Sequence, residues 1–377
     1  MVPGWKVKRE LLRLGAQISG LPRRFMEKFA RVHYERTRWD KITVTEGPAL
    51  PGEKYAIFLI YQPGPLPGSI LETCRYLVAN GYQTVLVSNG TLREEARSEL
   101  GALCRYVLER PNFGYDFGGY RDGVHFLQQQ GLSPAHLVLL NDSIWFPMQA
   151  TSDVLARIEA LPADITGLLL NLRRNGKMRK LHAMFRADKR PFEFLESYLI
   201  HLRRSTWESA PFRDYWDTYK QSSSKAFTVK RGELGFSKAM RRAGFSFGAV
   251  LRRDDFIAAI REKGEPFLDK TLRYAAYSDE AFLKGAMDLA KSHGDETLCE
   301  RKRAHVIKVA LRRRVNASFC WATEEIFGTH FIKKHNGVLF QRSREKYLEA
   351  VDAGDLQVDA PAALDEIRQR VRRDRGR

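Results

Sequence analysis

The sequence predicts an α/β fold: a Rossmann-like, mainly parallel sheet flanked by helices. Three observations predict it. Short apolar runs that read as buried strands alternate with longer periodic segments that read as helices. Turn residues punctuate the boundaries. Unusual polar clusters fall just past the ends of two strands, where open α/β sheets bind ligands. In order, Tyr55 to Tyr61 is a continuous apolar strand, and Ser69 to Asn80 a helix that stops at Gly81. Thr84 to Ser88 is the second strand, and Thr91 with Glu94 has capping-box spacing for a helix through Leu100. Arg105 to Leu108 is a third strand, Tyr120 to Gln130 a helix, and Leu137 to Leu140 a fourth strand. Beyond these, Ile165 to Leu172, Leu181 to Phe185 and Tyr198 to Leu202 read as strands. Pro211 to Tyr219 and Glu233 to Ala243 read as helices, with a loop at Ser222 to Ser224.

Both ends differ in texture from this core. Residues 1–50 form a basic, amphipathic, helical extension in which Trp5, Leu11, Leu12, Ile18, Phe25 and Phe29 alternate with Lys and Arg. Such a segment can lie on an anionic membrane or pack as a solvated helix on the body, and Pro22 interrupts it. Residues 51–253 form the α/β core, and residues 254–377 a helical, basic C-terminal region with a frayed tail from Arg368 to Arg377. Against 45 Asp and Glu stand 63 Lys and Arg, a net charge of +18. That excess favours a polyanionic partner: nucleic acid, an anionic membrane surface or phosphorylated substrates. No helix-turn-helix, RNP or zinc-finger pattern accompanies it, so no nucleic acid is expected. Cys74, Cys104, Cys299 and Cys320 form no CxxC pair and read as reduced thiols. No secretory signal and no apolar span of about 18 residues is visible. The expected location is cytoplasmic.

Two constellations can carry chemistry. The first, Arg110-Pro111-Asn112-Phe113-Gly114-Tyr115-Asp116-Phe117-Gly118-Gly119-Tyr120, directly follows the third strand. Its glycines permit close backbone approach to a ligand, the following helix offers free N–H groups to anions, and Asn112 and Asp116 offer hydroxyl acceptors. It is neither GxGxxG nor a Walker loop; its alternative reading is a glycine-rich turn with Asp116 capping a helix. The second, Asn141-Asp142-Ser143, ends the fourth strand. A carboxylate there can hold a divalent ion against a diphosphate, or simply satisfy a turn.

Together, RPNFGYDFGGYRDG and LVLLNDSIWFP resemble the paired hallmarks of the rhamnan synthesis protein F family, R-x-N-x-G-x-D-x-G-G-Y/W and L-x-N-D-S-x-x-G-P. The similarity continues through Asp164 to Asn171, Leu195 to Trp216 and Lys230 to Phe245, and reaches Asn316 to Trp321 and Phe331 to His335. The resemblance implies a glycosyltransferase of the A-type fold (GT-A) in bacterial cell-surface polysaccharide synthesis, peripheral on the inner face of the plasma membrane. The donor would be a nucleotide sugar, dTDP-L-rhamnose first, and the acceptor a lipid-linked glycan. Asn112, Gly114, Asp116, Gly119, Asn141 and Ser143 would line the nucleotide-sugar pocket, and Asp142 would hold Mn²⁺ or Mg²⁺. N-D-S carries one carboxylate where A-type enzymes usually show D-x-D. Phe146 stands in place of the glycine before Pro147, and Glu196 in place of a glutamine. The single carboxylate sustains an alternative, a non-catalytic glycan-binding or assembly subunit.

An inverting transfer needs a base for the acceptor hydroxyl. Glu233, opening a predicted helix, is the candidate, although a glutamate there also stabilises a helix N-terminus without catalysis. Asp279-Glu280 is a second choice; Lys333 could reach a phosphate, but a solvated lysine is the preferred reading. The nine histidines lack metal-ligand spacing. Tyr198, Trp207, Tyr215 and Trp216 could stack on sugars but more often such residues are core.

Overall fold

A nine-stranded sheet organises the chain, and its central strands are buried on both faces. The computed structural model describes residues 27–173, 192–292 and 297–376. The strands are β1 (Thr43–Glu46), β2 (Lys54–Ile60), β3 (Tyr82–Ser88), β4 (Tyr106–Glu109), β5 (His136–Asn141), β6 (Ile144–Trp145), β7 (Ile165–Arg173), β8 (Phe192–Leu195), β9 (Leu199–Arg203), β10 (Phe247–Arg252) and β11 (Ile332–Lys333). They run β1-β4-β3-β2-β5-β9-β7-β10 across the sheet, with β8 beside β7, while β6 and β11 form a separate ribbon. β4, β3, β2 and β5 are mutually parallel, as are β7 and β10; β1, β8 and β9 run antiparallel to their neighbours. The predicted α/β class, a mainly parallel sheet flanked by helices, therefore holds. Its principal departure is β9, inserted antiparallel between β5 and β7.

The apolar run of β2 is explained by its two-residue alternation. Ala56, Phe58 and Ile60 enter one core with helices α2 (Gly68–Ala79), α3 (Glu94–Leu103), α5 (Val154–Ala160) and the C-terminal helices. Tyr55, Ile57 and Leu59 enter the other, beneath α4 (Tyr115–Gln129) and the helices Ala210–Thr218 and Glu233–Arg242. Tyr198, Trp207 and Trp216 are buried in these cores, and the half-buried Tyr215 donates its hydroxyl to the carbonyls of Arg231 and Gly232.

Several local expectations change. α4 begins at Tyr115 rather than Tyr120. Low helix propensity in FGYDFGGY hides about one and a half turns of helix, which Gly118 and Gly119 make possible. A Cβ on Gly118 would lie 2.3 Å from the Phe113 carbonyl oxygen, and one on Gly119 would lie 2.2 Å from Leu59 Cδ1 on β2. α3 starts at Glu94 without a side-chain cap. Residues 368–375 are no frayed tail: helix Pro361–Arg375 buries Ala363, Ile367 and Val371. Its Glu366 accepts from Ser69 N, Ser69 Oγ and Trp145 Nε1. Cys74 and Cys104, distant in sequence, are buried free thiols with sulfurs 3.8 Å apart. The strand expected at 181–185 and residues 1–26 lie outside the described residues. No described helix is long and apolar enough to cross a membrane.

The described part of the N-terminal extension is a helix, α1, over residues 27–41. It packs on the body through a buried polar knot. Arg110 Nε binds Asp122 Oδ2 at 2.6 Å, with both side chains fully buried. Tyr34 of α1 donates to the same oxygen at 2.6 Å, and Arg110 also donates to Asn89 Oδ1 and the Phe113 carbonyl. The knot thus ties α1, β3 and β4 to the start of α4. Removing one partner of a buried pair strands the other charge. Asp122→Ala should therefore lower unfolding stability by roughly 3–5 kcal/mol in urea titrations. The apolar double change Arg110→Met/Asp122→Leu should cost less than the single one.

Candidate functional site

The two sequence clusters meet at the carboxyl ends of β4 and β5. Gly114, at φ +88, is the N-cap of α4 and lets the chain turn into the helix. Asp116 then falls in the first turn, where the helix dipole favours a carboxylate. Asn141 is the last residue of β5. Its Nδ2 reaches Asp116 Oδ2 at 3.5 Å and the Ser197 carbonyl at 3.3 Å. Its Oδ1 accepts from Ser143 N at 3.1 Å and Ser143 Oγ at 2.5 Å. Ser197, in the turn before β9, donates from N (3.3 Å) and Oγ (2.9 Å) to Glu233 Oε2. Tyr120 of α4 donates to the Ser197 carbonyl at 2.8 Å. Asp116, Asn141, Ser143, Ser197 and Glu233 thus form one connected polar group.

Asp142 sits on the other side of the turn. Its Oδ2 accepts from Tyr61 N at 3.0 Å and Gln62 Nε2 at 2.9 Å, which ties the end of β2 to the end of β5. Lys333 closes the group from β11, donating to Ser143 Oγ at 3.0 Å, its ammonium 4.0 Å from the centre of the Tyr198 ring. It is not the solvated lysine expected. Glu196, the family-atypical residue, accepts from Arg314 Nη1 and Asn171 Nδ2, each at 2.5 Å.

Asp116, Asp142, Ser143, Glu233, Lys333 and Lys334 all keep partial solvent contact. The charged groups among them are nonetheless crowded by protein, and burial is the leading cause of every shift. That combination describes the floor of a recess. Asp116 is raised to about 6, by burial and then by the Asp142 charge. Burial also raises Asp142. Glu233 is raised to about 7, by burial and then by Glu196. Burial lowers Lys333 and Lys334. A carboxyl near 7 is suited to exchanging a proton at neutral pH.

The remaining candidates fall elsewhere. Asn112 is exposed at the start of the loop. Gly119 is buried, and its missing side chain faces Leu59, so it serves helix-on-sheet packing. Asp279 caps helix Glu280–Lys291 and pairs with Arg313 at 2.8 Å, a structural role. Among the described residues no group of three or more His, Cys, Asp or Glu could hold a metal. A magnesium-type ion needs only one or two protein carboxylates when substrate phosphates complete its shell. Asp142 and Asp116, close enough for the charge of one to raise the other, are the carboxylates available to such an ion. Sequence reading missed Ser197, Lys334 and Arg314, and undervalued Lys333. The similarity of FIKKH and LESYL to the family was the signal pointing at Ser197 and the two lysines; Arg314 lies outside the matched stretches.

Comparison with known proteins agrees with the motifs. Residues 84–270 match the family model for rhamnan synthesis protein F. The uncharacterized protein y4gN of Sinorhizobium fredii is 29% identical over 351 residues, covering 92% of this chain and 85% of that protein. Among solved structures, core-mannan synthase A of Aspergillus fumigatus in a Mn/GDP form aligns at 11% identity and TM-score 0.30, over 52% of this chain and 72% of the other. A protein of Desulfovibrio desulfuricans described as a nucleotide-diphospho-sugar transferase aligns at 14% identity and TM-score 0.28, over 54% and 80%.

The Glu233 shift has a thermodynamic signature. The folded carboxyl holds its proton to about 7, whereas the ordinary value is 4.5. Between those values the folded state binds a proton that the unfolded state has released. Stability from this group is full below 4.5 and is lost as pH rises through about 7. Glu233→Gln, neutral throughout, should match wild type in acid and exceed it by on the order of 1–3 kcal/mol at about pH 8. Urea unfolding across that range tests it, and a pH-independent difference between the two proteins would contradict it.

Proposed function

On the premise of that family match, we propose that the protein is an A-type glycosyltransferase of cell-surface polysaccharide synthesis. It moves a sugar, L-rhamnose being the first candidate, from a nucleotide-sugar donor to a lipid-linked glycan. The observation that carries this reading is the convergence of Asp116, Asn141, Ser143, Glu233 and Lys333 in one recess at the carboxyl ends of the sheet. Asn141 and Ser143 orient the donor, and Asp116 accepts from its hydroxyls. A divalent ion, when bound, would be held by Asp142 with Asp116 and would offset charge on the diphosphate.

Ionised Glu233 takes the proton of the acceptor hydroxyl as its oxygen bonds to the anomeric carbon. The bond from that carbon to the diphosphate oxygen breaks, and the nucleoside diphosphate leaves with the electron pair. This gives inversion, as the family resemblance implies. Residues 51–253 form the donor-binding core in this reading, and residues 254–377 complete the acceptor side. The net charge of +18 suits an anionic inner-membrane surface and phosphorylated substrates together. The single carboxylate of N-D-S is the one feature that favours a non-catalytic assembly subunit, whose signature would be nucleotide binding without transfer or donor hydrolysis.

A panel of nucleotide sugars, screened by thermal shift and then by nucleoside-diphosphate release with and without Mn²⁺ or Mg²⁺, tests the proposal. One donor should raise Tm and be turned over. With it, Glu233→Gln should lower kcat by about 10²–10⁴-fold while retaining the fold. The kcat/KM of the wild type should rise with pH up to about 7, as Glu233 ionises. Asp142→Asn, which keeps an acceptor for Tyr61 N, should lose at least about tenfold in kcat/KM if the charge matters. Absence of binding by every donor at millimolar concentration would remove the transferase reading.

A further inference from the structure

The turn between β8 and β9 carries two consecutive residues that act on Glu233 in opposite directions. Ser197 donates to Glu233 Oε2 from N at 3.3 Å and from Oγ at 2.9 Å. Hydrogen bonds to a carboxylate favour its ionised form. Glu196, one peptide earlier, brings a second carboxylate to the same place, and a like charge favours the protonated form. Burial is the first cause of the raised Glu233 and the Glu196 charge the second, while Ser197 and then Lys333 act the other way.

The turn is held from several directions. Glu196 N donates to the Leu169 carbonyl at 3.1 Å. Its Oε1 accepts from Asn171 Nδ2 on β7 and from Arg314 Nη1, each at 2.5 Å, and its side chain is only 5% exposed. Two parts of the chain far apart in sequence thus fix one charge beside Glu233. The remaining titratable and charged groups come from the other elements around it. Lys333 of β11 acts on Glu233, and the hydroxyls of Tyr120 on α4 and Tyr198 on the turn feel its charge. Tyr215 of helix Ala210–Thr218 is taken up by the carbonyls of Arg231 and Gly232. On helix Lys225–Arg231, Lys230 is exposed, and Arg231 lies over Phe227 and donates to the Lys220 carbonyl. On the helix that Glu233 opens, Lys238 lies over Phe192 and Arg241 pairs with Glu193.

We propose that Glu196 and Ser197 are a pair of positioning residues that govern proton exchange at Glu233, Glu196 making it hold a proton and Ser197 making it release one. The division has a use. A base must be free of its proton before transfer and able to keep the acceptor's proton as the new bond forms. The inference rests on the reading of Glu233 as the base and adds to it the residues that set its hold on the proton.

Infrared titration of the ligand-free, full-length protein tests this, following the carbonyl band of the protonated carboxyl that is missing in Glu233→Gln. In the wild type the midpoint should lie at about 7. Glu196→Gln, whose amide oxygen can still accept from Asn171 and Arg314, should lower it by on the order of one pH unit. Ser197→Ala, which keeps the backbone N–H, should raise it by a similar amount. Glu193→Gln removes a charge bound to the same helix through Arg241 and should leave the midpoint where it is. Should one variant fail to fold, the other still yields a shift of stated sign. A purely structural role gives a different pattern: a loosened turn admits water, and both variants then fall toward the ordinary carboxyl value. A downward shift in Ser197→Ala, or an unmoved midpoint in Glu196→Gln, overturns the proposal. With a productive donor, the acid limb of kcat/KM should follow the midpoint, down in Glu196→Gln and up in Ser197→Ala, with donor KM unchanged. Turnover abolished by Glu233→Gln alongside unmoved midpoints would sink the positioning pair and spare the transferase. Oppositely signed midpoint shifts in a protein that turns over no nucleotide sugar would keep the pair and remove the transferase.

Discussion

The carboxamide of Asn141 is the interaction on which the recess depends. Its amide nitrogen faces Asp116 and the Ser197 carbonyl, and its oxygen receives both donors of Ser143. Through those contacts it joins α4, the N-D-S turn, the approach to β9 and, by way of Lys333, the ribbon from the C-terminal region. No charged residue could do this, because the position requires a donor and an acceptor on one short planar group. The preference for asparagine over a second acid at this position follows from that geometry. An aspartate would face Asp116 with like charge and would have nothing to donate to the Ser197 carbonyl.

Placing β9 antiparallel between β5 and β7 has a matching effect. In a purely parallel sheet the turn before β9 would lie at the opposite edge. Reversal brings Glu196 and Ser197 to the carboxyl end of β5, and Ser197 then anchors Glu233. The electrostatics follow from position. Burial outweighs the mutual attraction of these acids and lysines, so the acids hold protons longer and the lysines release them sooner than in water.

Much of the sheet was legible because its signals were local. The runs at Tyr55 to Tyr61 and Leu137 to Leu140 carry β-propensity and turn punctuation within themselves, and both are central strands. The early start of α4 was not legible, since two glycines argue against helix unless the contact with Leu59 and the Phe113 carbonyl is known. The order of strands and the reversal of β9 depend on long-range pairing, which periodicity does not encode. At the site, Asp116, Asn141 and Ser143 could be read from their places at strand ends. Ser197 and Lys334 could not, because an ordinary serine and one of many lysines acquire meaning only from what folds against them. The same reason made the last turns of the C-terminal helix read as a frayed tail, since its buried Ala363, Ile367 and Val371 are outnumbered by arginines.

The pairing of β6 with β11 sets a condition on how the recess comes into being. Ile144 and Lys333 stand opposite each other although nearly the whole second half of the chain separates them. The span matched by the family, residues 84–270, contains neither β2 nor β11. During synthesis the N-D-S turn is therefore made long before the lysines that flank it. A fragment trimmed to residues 84–270 would carry the signature of the site without Lys333 and the ribbon that supports it.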